Sequence, residues 1–154
     1  MARQHTANTE AEHPRVHEAV EAGVAPVGIE LNIFVDTILD VLHQYGGQRQ
    51  IMVSSFTPEI CILLSMKQKA YPVLFITNAG KLPMNDMEVR AASVQMAVQF
   101  AQRWNLAGVV FACDALLMSP RLVGFVKGRG LLCATYGGMN NEPNMVKASL
   151  IHSK

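Results

Sequence analysis

The sequence predicts an α/β fold in which a parallel sheet is covered by helices, and three observations carry that expectation. Four short segments, QIMVSS, YPVLFIT, AGVVFAC and GLLCATY, are continuously apolar rather than alternating. Strands of that kind are buried on both faces, as in a parallel sheet between helices. A stretch with helix signals separates each segment from the next, and such alternation marks crossover units. Half of the 154 residues are hydrophobic and 16% are charged, enough apolar surface to bury a sizeable core and too much for a disordered chain. Two architectures satisfy these observations, a piece of a (β/α)8 barrel or a small doubly wound sheet. No GxGxxG or GxxxxGK[ST] follows any strand, so a nucleotide cradle has no support and the barrel is preferred.

The elements follow in order. Residues 1–13 are polar and poorly defined, and Glu12 to Glu21 reads as a short helix or a loop. Leu31, Phe34, Val35, Ile38, Leu39 and Leu42 recur at helical spacing, which predicts an amphipathic helix that Gly46 ends. QIMVSS is the first strand, and Thr57 with Pro58 offers a cap and a first-turn proline for the next helix. Ile60, Leu63 and Leu64 face that helix inward. After YPVLFIT and a turn-rich loop, a helix is expected from about Met87 to Trp104, with Ala92, Met96, Phe100 and Trp104 on its buried side. AGVVFAC is a strand. Ser119-Pro120 opens a short helix that Gly128 and Gly130 stop, GLLCATY is the last strand, and MVKASLIHSK begins another helix.

Composition excludes several classes. The net charge is +1 with the signs interspersed, unlike the basic footprint of a nucleic-acid binder. No apolar run reaches the length of a membrane span, about 18 residues. The first residues lack the apolar core of a secretory signal. The three cysteines, Cys61, Cys113 and Cys133, lie in apolar surroundings with no metal spacing. A cytoplasmic protein is the expectation.

In a parallel βα protein, function collects at the carboxyl ends of the strands. Those corners hold Ser54, Ser55 and Phe56; Thr77, Asn78 and Lys81; Cys113 and Asp114; and Tyr136, Asn140 and Asn141. The set is rich in neutral hydrogen-bonding groups, which suit a substrate more than acid–base chemistry. Ser54 and Ser55 have no base beside them and read as groups satisfying loop backbone. All five histidines, His5, His13, His17, His43 and His152, fall on polar or terminal segments and read as surface residues. The methionines and Trp104 read as core.

The stretch SSFTPEICILLSMKQKAYPVLFIT, with PRVHEAVEAGVAPVGIELNIFVDTILD before it and RAASVQMAVQFAQRWNLAGVVFACDALLMSPRLVGFVKGRGLLCATYGGMNNEP after it, resembles the glycerophosphodiester phosphodiesterase family. The resemblance is to the fungal branch, in which SPX, ankyrin and phosphodiesterase regions share one chain, and it runs from Pro14 to Leu150. It implies a TIM-type barrel of the phosphatidylinositol-phospholipase-C-like kind, of which residues 14–154 would form roughly the second half. It also implies metal-assisted hydrolysis of glycerophosphodiesters such as glycerophosphocholine to an alcohol and glycerol 3-phosphate. The cofactor would be a divalent cation, Ca or Mg. On the same resemblance Ser55, Phe56 and Tyr136 would bind substrate, with Tyr136 facing Ser55 and Phe56 from the opposite wall. Counting back from Pro14 puts Glu10 on a metal-ligand position, with Glu12 where the family has lysine. The family's His-Arg-Gly strand, its E-x-D pair and its second histidine have no counterpart in these residues, so no catalytic residue is assigned and the chain is expected to be inactive by itself. The alternatives are a half-barrel remnant that binds without turnover, or an unrelated α/β interaction module. A half-barrel leaves open sheet edges, through which self-association is expected.

Overall fold

Five parallel strands lie side by side in chain order: β1 (Thr6–Glu10), β2 (Gln50–Ser55), β3 (Val73–Thr77), β4 (Gly108–Ala112) and β5 (Leu132–Tyr136). The structure, a computed structural model, describes residues 6–13, 16–23, 30–78 and 88–137. Its helices are α1 (Val16–Glu21), α2 (Leu31–Tyr45), α3 (Pro58–Lys67), α4 (Val94–Arg103), α5 (Cys113–Met118) and α6 (Arg121–Lys127), with a 3₁₀ turn at Val89–Ala91. Lys81, Asn140, Asn141 and the helix expected in MVKASLIHSK lie outside the described residues. No described helix is long and apolar enough to cross a membrane.

The four apolar segments are β2 to β5. The fifth strand, β1, was not expected, because TANTE has no apolar run. Its register explains it: Ala7 lies opposite Ile51 and packs with the helix-side core, while Asn8 and Glu10 occupy the other face. The residue after it, Ala11, is buried and donates its N–H to the Ser54 carbonyl at 2.8 Å. Small residues toward the helices and polar ones on the other side make a strand without hydrophobic signal.

The helix-side core joins Val53, Phe75, Val109 and Phe111 of the sheet to Val35 and Leu39 of α2, Ile60 and Leu64 of α3, Val98 and Ala101 of α4 and Val126 of α6. The α2 stripe is as expected, with Val35, Leu39 and Leu42 buried and Leu31, Phe34 and Ile38 packed beside them. Its end differs by one residue: Gly46 is still right-handed, and Gly47, at φ 58°, makes the left-handed turn. Glu30 caps the helix, and its carboxylate accepts from the N–H groups of Asn32 and Ile33 at 3.0 Å. Those bonds hold its carboxyl below the usual range. Thr57 precedes α3 without a side-chain cap bond.

The long helix expected from Met87 is split. The 3₁₀ turn comes first, and Ser93 caps α4 by accepting from the N–H of Met96. The buried face of α4 is Val94, Ala97, Val98, Phe100 and Ala101, while Met96 points outward at 39% exposure. The α5 helix after β4 was also not expected. Between β4 and β5 the backbones meet closely at Gly108, where a Cβ would lie 2.2 Å from the Leu132 carbonyl.

Strand register assigns the two faces. Val53, Ser55, Phe75, Thr77, Val109 and Phe111 face the helices; Met52, Ser54, Leu74, Ile76, Val110, Ala134 and Tyr136 face the other way. The sheet is strongly curled. Phe56 follows β2 and Tyr136 ends β5, three strands apart, which a flat sheet would place about 14 Å from each other. Their ring centroids are 5.7 Å apart. The second face is therefore the concave interior of a half-barrel.

Candidate functional site

The carboxyl ends of the strands bring polar and aromatic groups together on the concave side. At β1, Glu10 stands in register with Ser54, and the Asn8 amide and Ser54 hydroxyl lie 3.0 Å apart. The Glu10 carboxyl pKa is raised above the usual range, first by partial burial and then by the charge of nearby Glu12. Two acids crowded on one strand end suit a cation.

Ser55 stands at the same corner but faces the other way. Its side chain is fully buried, and its hydroxyl donates to the Ala11 carbonyl at 2.6 Å and accepts from the Thr57 N–H at 3.1 Å. It ties the residue between Glu10 and Glu12 to the start of α3. The reading of the two serines as groups that satisfy backbone describes Ser55 well. Ser54, one residue earlier, is the serine on the interior face.

The aromatic part of the site is one connected group. Phe56 and Tyr136 meet edge to face, at an interplanar angle of 82°. They share one wall rather than standing opposite each other. The Tyr136 hydroxyl donates to Asn78 Oδ1 at 2.8 Å. Strand β4 lies between Asn78 and Tyr136, and its residue in register with Tyr136 is Ala112, whose single methyl leaves the line open. Leu74, Ile76 and Val110, all nearly inaccessible, form an apolar floor beneath the rings.

The neighbouring corners are structural. Thr77 faces the helices and donates to the Ala91 carbonyl at 2.7 Å, which fixes the chain returning toward α4. Arg90 donates to both oxygens of Glu88 and to Glu59, each at 2.6 Å, and lies over the Phe100 ring. Those carboxylates push its pKa further up. Cys113 at the end of β4 is buried with Asp114 Oδ1 3.5 Å from its sulfur. Burial raises the thiol pKa of Cys61 and Cys133, which makes both poor nucleophiles. His13 packs edge-on to Phe34 and His43 against Tyr71, on the helix side of the molecule.

Among the described residues no group of three His, Cys, Asp or Glu side chains converges as a metal site. Magnesium commonly takes one or two carboxylates and completes its shell with water and phosphate oxygens. The Glu10–Glu12 pair fits such a share. A cavity of about 610 Å³ lies elsewhere, lined by Ala7, Tyr45, Gly46, Gly47, Gln48, Arg49 and Gln50. That is the amino end of β2, opposite the corners, and we give it no part in the site.

Sequence reasoning named Asn78 as a corner residue but assigned it no role, and it preferred Ser55 to Ser54. QIMVSS is apolar on both faces and carries no alternation, so nothing in it says which serine looks inward. The link from Asn78 to Tyr136 depends on sheet curvature, which leaves no local signal.

Known proteins resemble this chain in sequence and in fold. The description "Glycerophosphoryl diester phosphodiesterase family" matches residues 2–152. A glycerophosphocholine phosphodiesterase of Candida albicans is 47% identical over 144 residues, covering 93% of this chain and 12% of that protein. Its counterpart in Eremothecium gossypii is 41% identical over 143 residues, covering 93% and 11%. The chain thus spans about an eighth of the length of the curated fungal relatives it matches. A solved glycerophosphodiester phosphodiesterase from Parabacteroides distasonis superposes with a TM-score of 0.60 at 10% identity, over 96% of this chain and 49% of that one. The shared fold is thus half of a TIM-type barrel. With the family match extending over nearly every residue and fungal relatives above 40% identity, the chain belongs to the glycerophosphoryl diester phosphodiesterase family.

Proposed function

We propose that this chain provides the substrate-holding part of a glycerophosphodiester phosphodiesterase, acting on glycerophosphocholine to give choline and glycerol 3-phosphate. The observation that carries the reading is the convergence of Phe56, Tyr136 and Asn78 over an apolar floor at the carboxyl ends of the strands. In a barrel of this kind those ends are where substrate sits. Family membership and the names of the fungal relatives supply the substrate class.

Within this reading Phe56 and Tyr136 bind the substrate, and Ser55 acts through Ala11 to hold the β1 end in place. Glu10, with Glu12, would hold a share of a Ca or Mg ion. Such an ion polarises the phosphodiester and offsets charge developing on its oxygens. The residues of this chain bind and orient the diester. His13 and His43 pack on the helix side, so proton transfer at the phosphate is not assigned to them. Residues 14–154 then form the C-terminal portion of the barrel domain of a longer cytoplasmic protein of the SPX and ankyrin architecture. The outer edges of β1 and β5 are where other strands, or a second copy, would pair.

The test is a titration of the purified chain with glycerophosphocholine, with and without Ca or Mg, alongside an assay for released glycerol 3-phosphate. Saturable binding that weakens on chelation, without turnover, is the expected result. Glycerol 3-phosphate release that disappears on chelation would give the chain its own catalysis, and absence of any binding would sink the reading.

A further inference from the structure

Phe56, Tyr136 and Asn78 form one connected group, and we propose that it is a head-group subsite: the two rings take a quaternary ammonium, and Asn78 is the positioning residue that holds the Tyr136 ring in place. The proposal deepens the phosphodiesterase reading and rests on it for the identity of the natural ligand, but the chemistry of the subsite stands on its own geometry.

A trimethylammonium group is a bulky cation with no N–H to donate. Hydrogen-bond acceptors gain little on it, and what recognises it is the negative face of an aromatic ring. The edge-to-face pair at 5.7 Å and 82° sets two ring planes nearly at right angles, with one ring's edge against the other's face. A rounded cation can touch both walls of such a corner. The floor of Leu74, Ile76 and Val110 is almost fully removed from water. Cation–π attraction strengthens as the cation is desolvated, so the apolar floor favours the contact.

The corner works only if the Tyr136 ring keeps its angle. A tyrosine at a strand end can turn about two side-chain torsions. The hydrogen bond from its hydroxyl to Asn78 Oδ1 at 2.8 Å ties the far end of the ring to β3, two strands away. Ala112 on the intervening strand gives the phenol room to reach. Donating that proton also leaves the phenol oxygen and ring richer in electron density, which deepens the negative face.

The experiment is an NMR titration of the whole chain with choline and, separately, with 3,3-dimethyl-1-butanol, its neutral carbon isostere. The two probes have the same shape and differ in charge. Choline is expected to bind about 5- to 30-fold more tightly, shifting the ring resonances of Phe56 and Tyr136. Phe56→Leu and Tyr136→Leu should each abolish that preference. Asn78→Ala and Tyr136→Phe remove the same hydrogen bond, so each should weaken choline binding by a similar factor and the double variant should be no weaker than either. Equal binding of the two probes, or preference surviving both leucine variants, overturns the subsite. Additive losses in Asn78→Ala and Tyr136→Phe overturn the positioning role of Asn78. Should a variant unfold, the two probes on the unaltered chain still decide. Choline selectivity without glycerophosphocholine binding would keep the subsite and remove the phosphodiesterase reading; diester binding indifferent to head group would do the reverse.

Discussion

The two faces of the sheet are built for different ends. On the helix side, twenty-two described residues form one buried cluster, from Ala11 through Phe75 and Phe111 to Leu131. On the concave side the described hydrophobic cluster has three buried residues, Leu74, Ile76 and Val110, and around them stand Asn8, Glu10, the buried Ser54, Asn78 and Tyr136. One face stores stability, and the other gives some up for groups that can meet a ligand. Neighbouring residues on a strand therefore have unlike tasks, and paired substitutions one residue apart test the division.

The largest expected effect is in β3. Phe75→Ala on the helix side should destabilise by about 3–5 kcal/mol, the usual cost of truncating a fully buried aromatic. Leu74→Ala, one residue earlier and facing inward, should cost about 2–3 kcal/mol, the low end for a buried leucine, because the thin concave cluster can close over the gap. Urea denaturation of both variants measures the contrast, and equal costs would show that the concave face is as tightly built as the other.

That division also explains what the sequence could show. The helix-side core was legible because it follows hydrophobic rules: the α2 stripe and the four apolar strands are where periodicity puts them. The α4 face was read correctly at Phe100 and Trp104 but not at Met96, for a geometric reason. Ala92, Met96, Phe100 and Trp104 are spaced by four, and at about 100° per residue that row drifts by about 120° over three steps. Val94, Ala97, Val98 and Ala101 recur at i, i+3, i+4 and i+7 and stay on one side, and they are buried together with Phe100. Strand β1 escaped notice because its interior residues are polar. The site was legible as a set of corners but not as contacts. Phe56 and Tyr136 are eighty residues apart, and only the curl of the sheet brings their rings together.

The two serines sharpen the comparison at smaller scale. Ser55→Ala removes a fully buried hydroxyl and leaves the Ala11 carbonyl and Thr57 N–H without that partner. A cost of about 1–3 kcal/mol is expected, the penalty of stranding buried polar groups. Ser54 is equally buried, but Ser54→Ala breaks only its bonds with the Asn8 side chain, and about 0.5–1 kcal/mol is expected, since the exposed Asn8 amide regains water. Thermal melts of the pair decide it. A larger loss at Ser54 would mean that the interior serine, rather than the helix-side one, holds β1 to β2.

The smallest expected effect lies at Glu10, where the concave face carries a charge that folding does not favour. Its carboxyl pKa is raised in the fold, by partial burial first and by the Glu12 charge second. A raised carboxyl pKa means that the folded chain binds its proton more readily than the unfolded chain does. The stability this contributes is fully present below the ordinary carboxyl pKa of 4.5 and is lost as pH rises through the folded value. At neutral pH the ionised Glu10 is thus a small liability. Glu10→Gln, in the absence of divalent ions, should be slightly more stable than the parent at pH 7, by less than about 1 kcal/mol because the side chain is largely solvated. The gain should vanish near pH 4, where the parent carries the proton. A gain that persists at pH 4 would point to packing rather than charge. A loss at pH 7 would show that Glu10 is already compensated by a positive group, and the acid pair would then have no reason to prefer a cation.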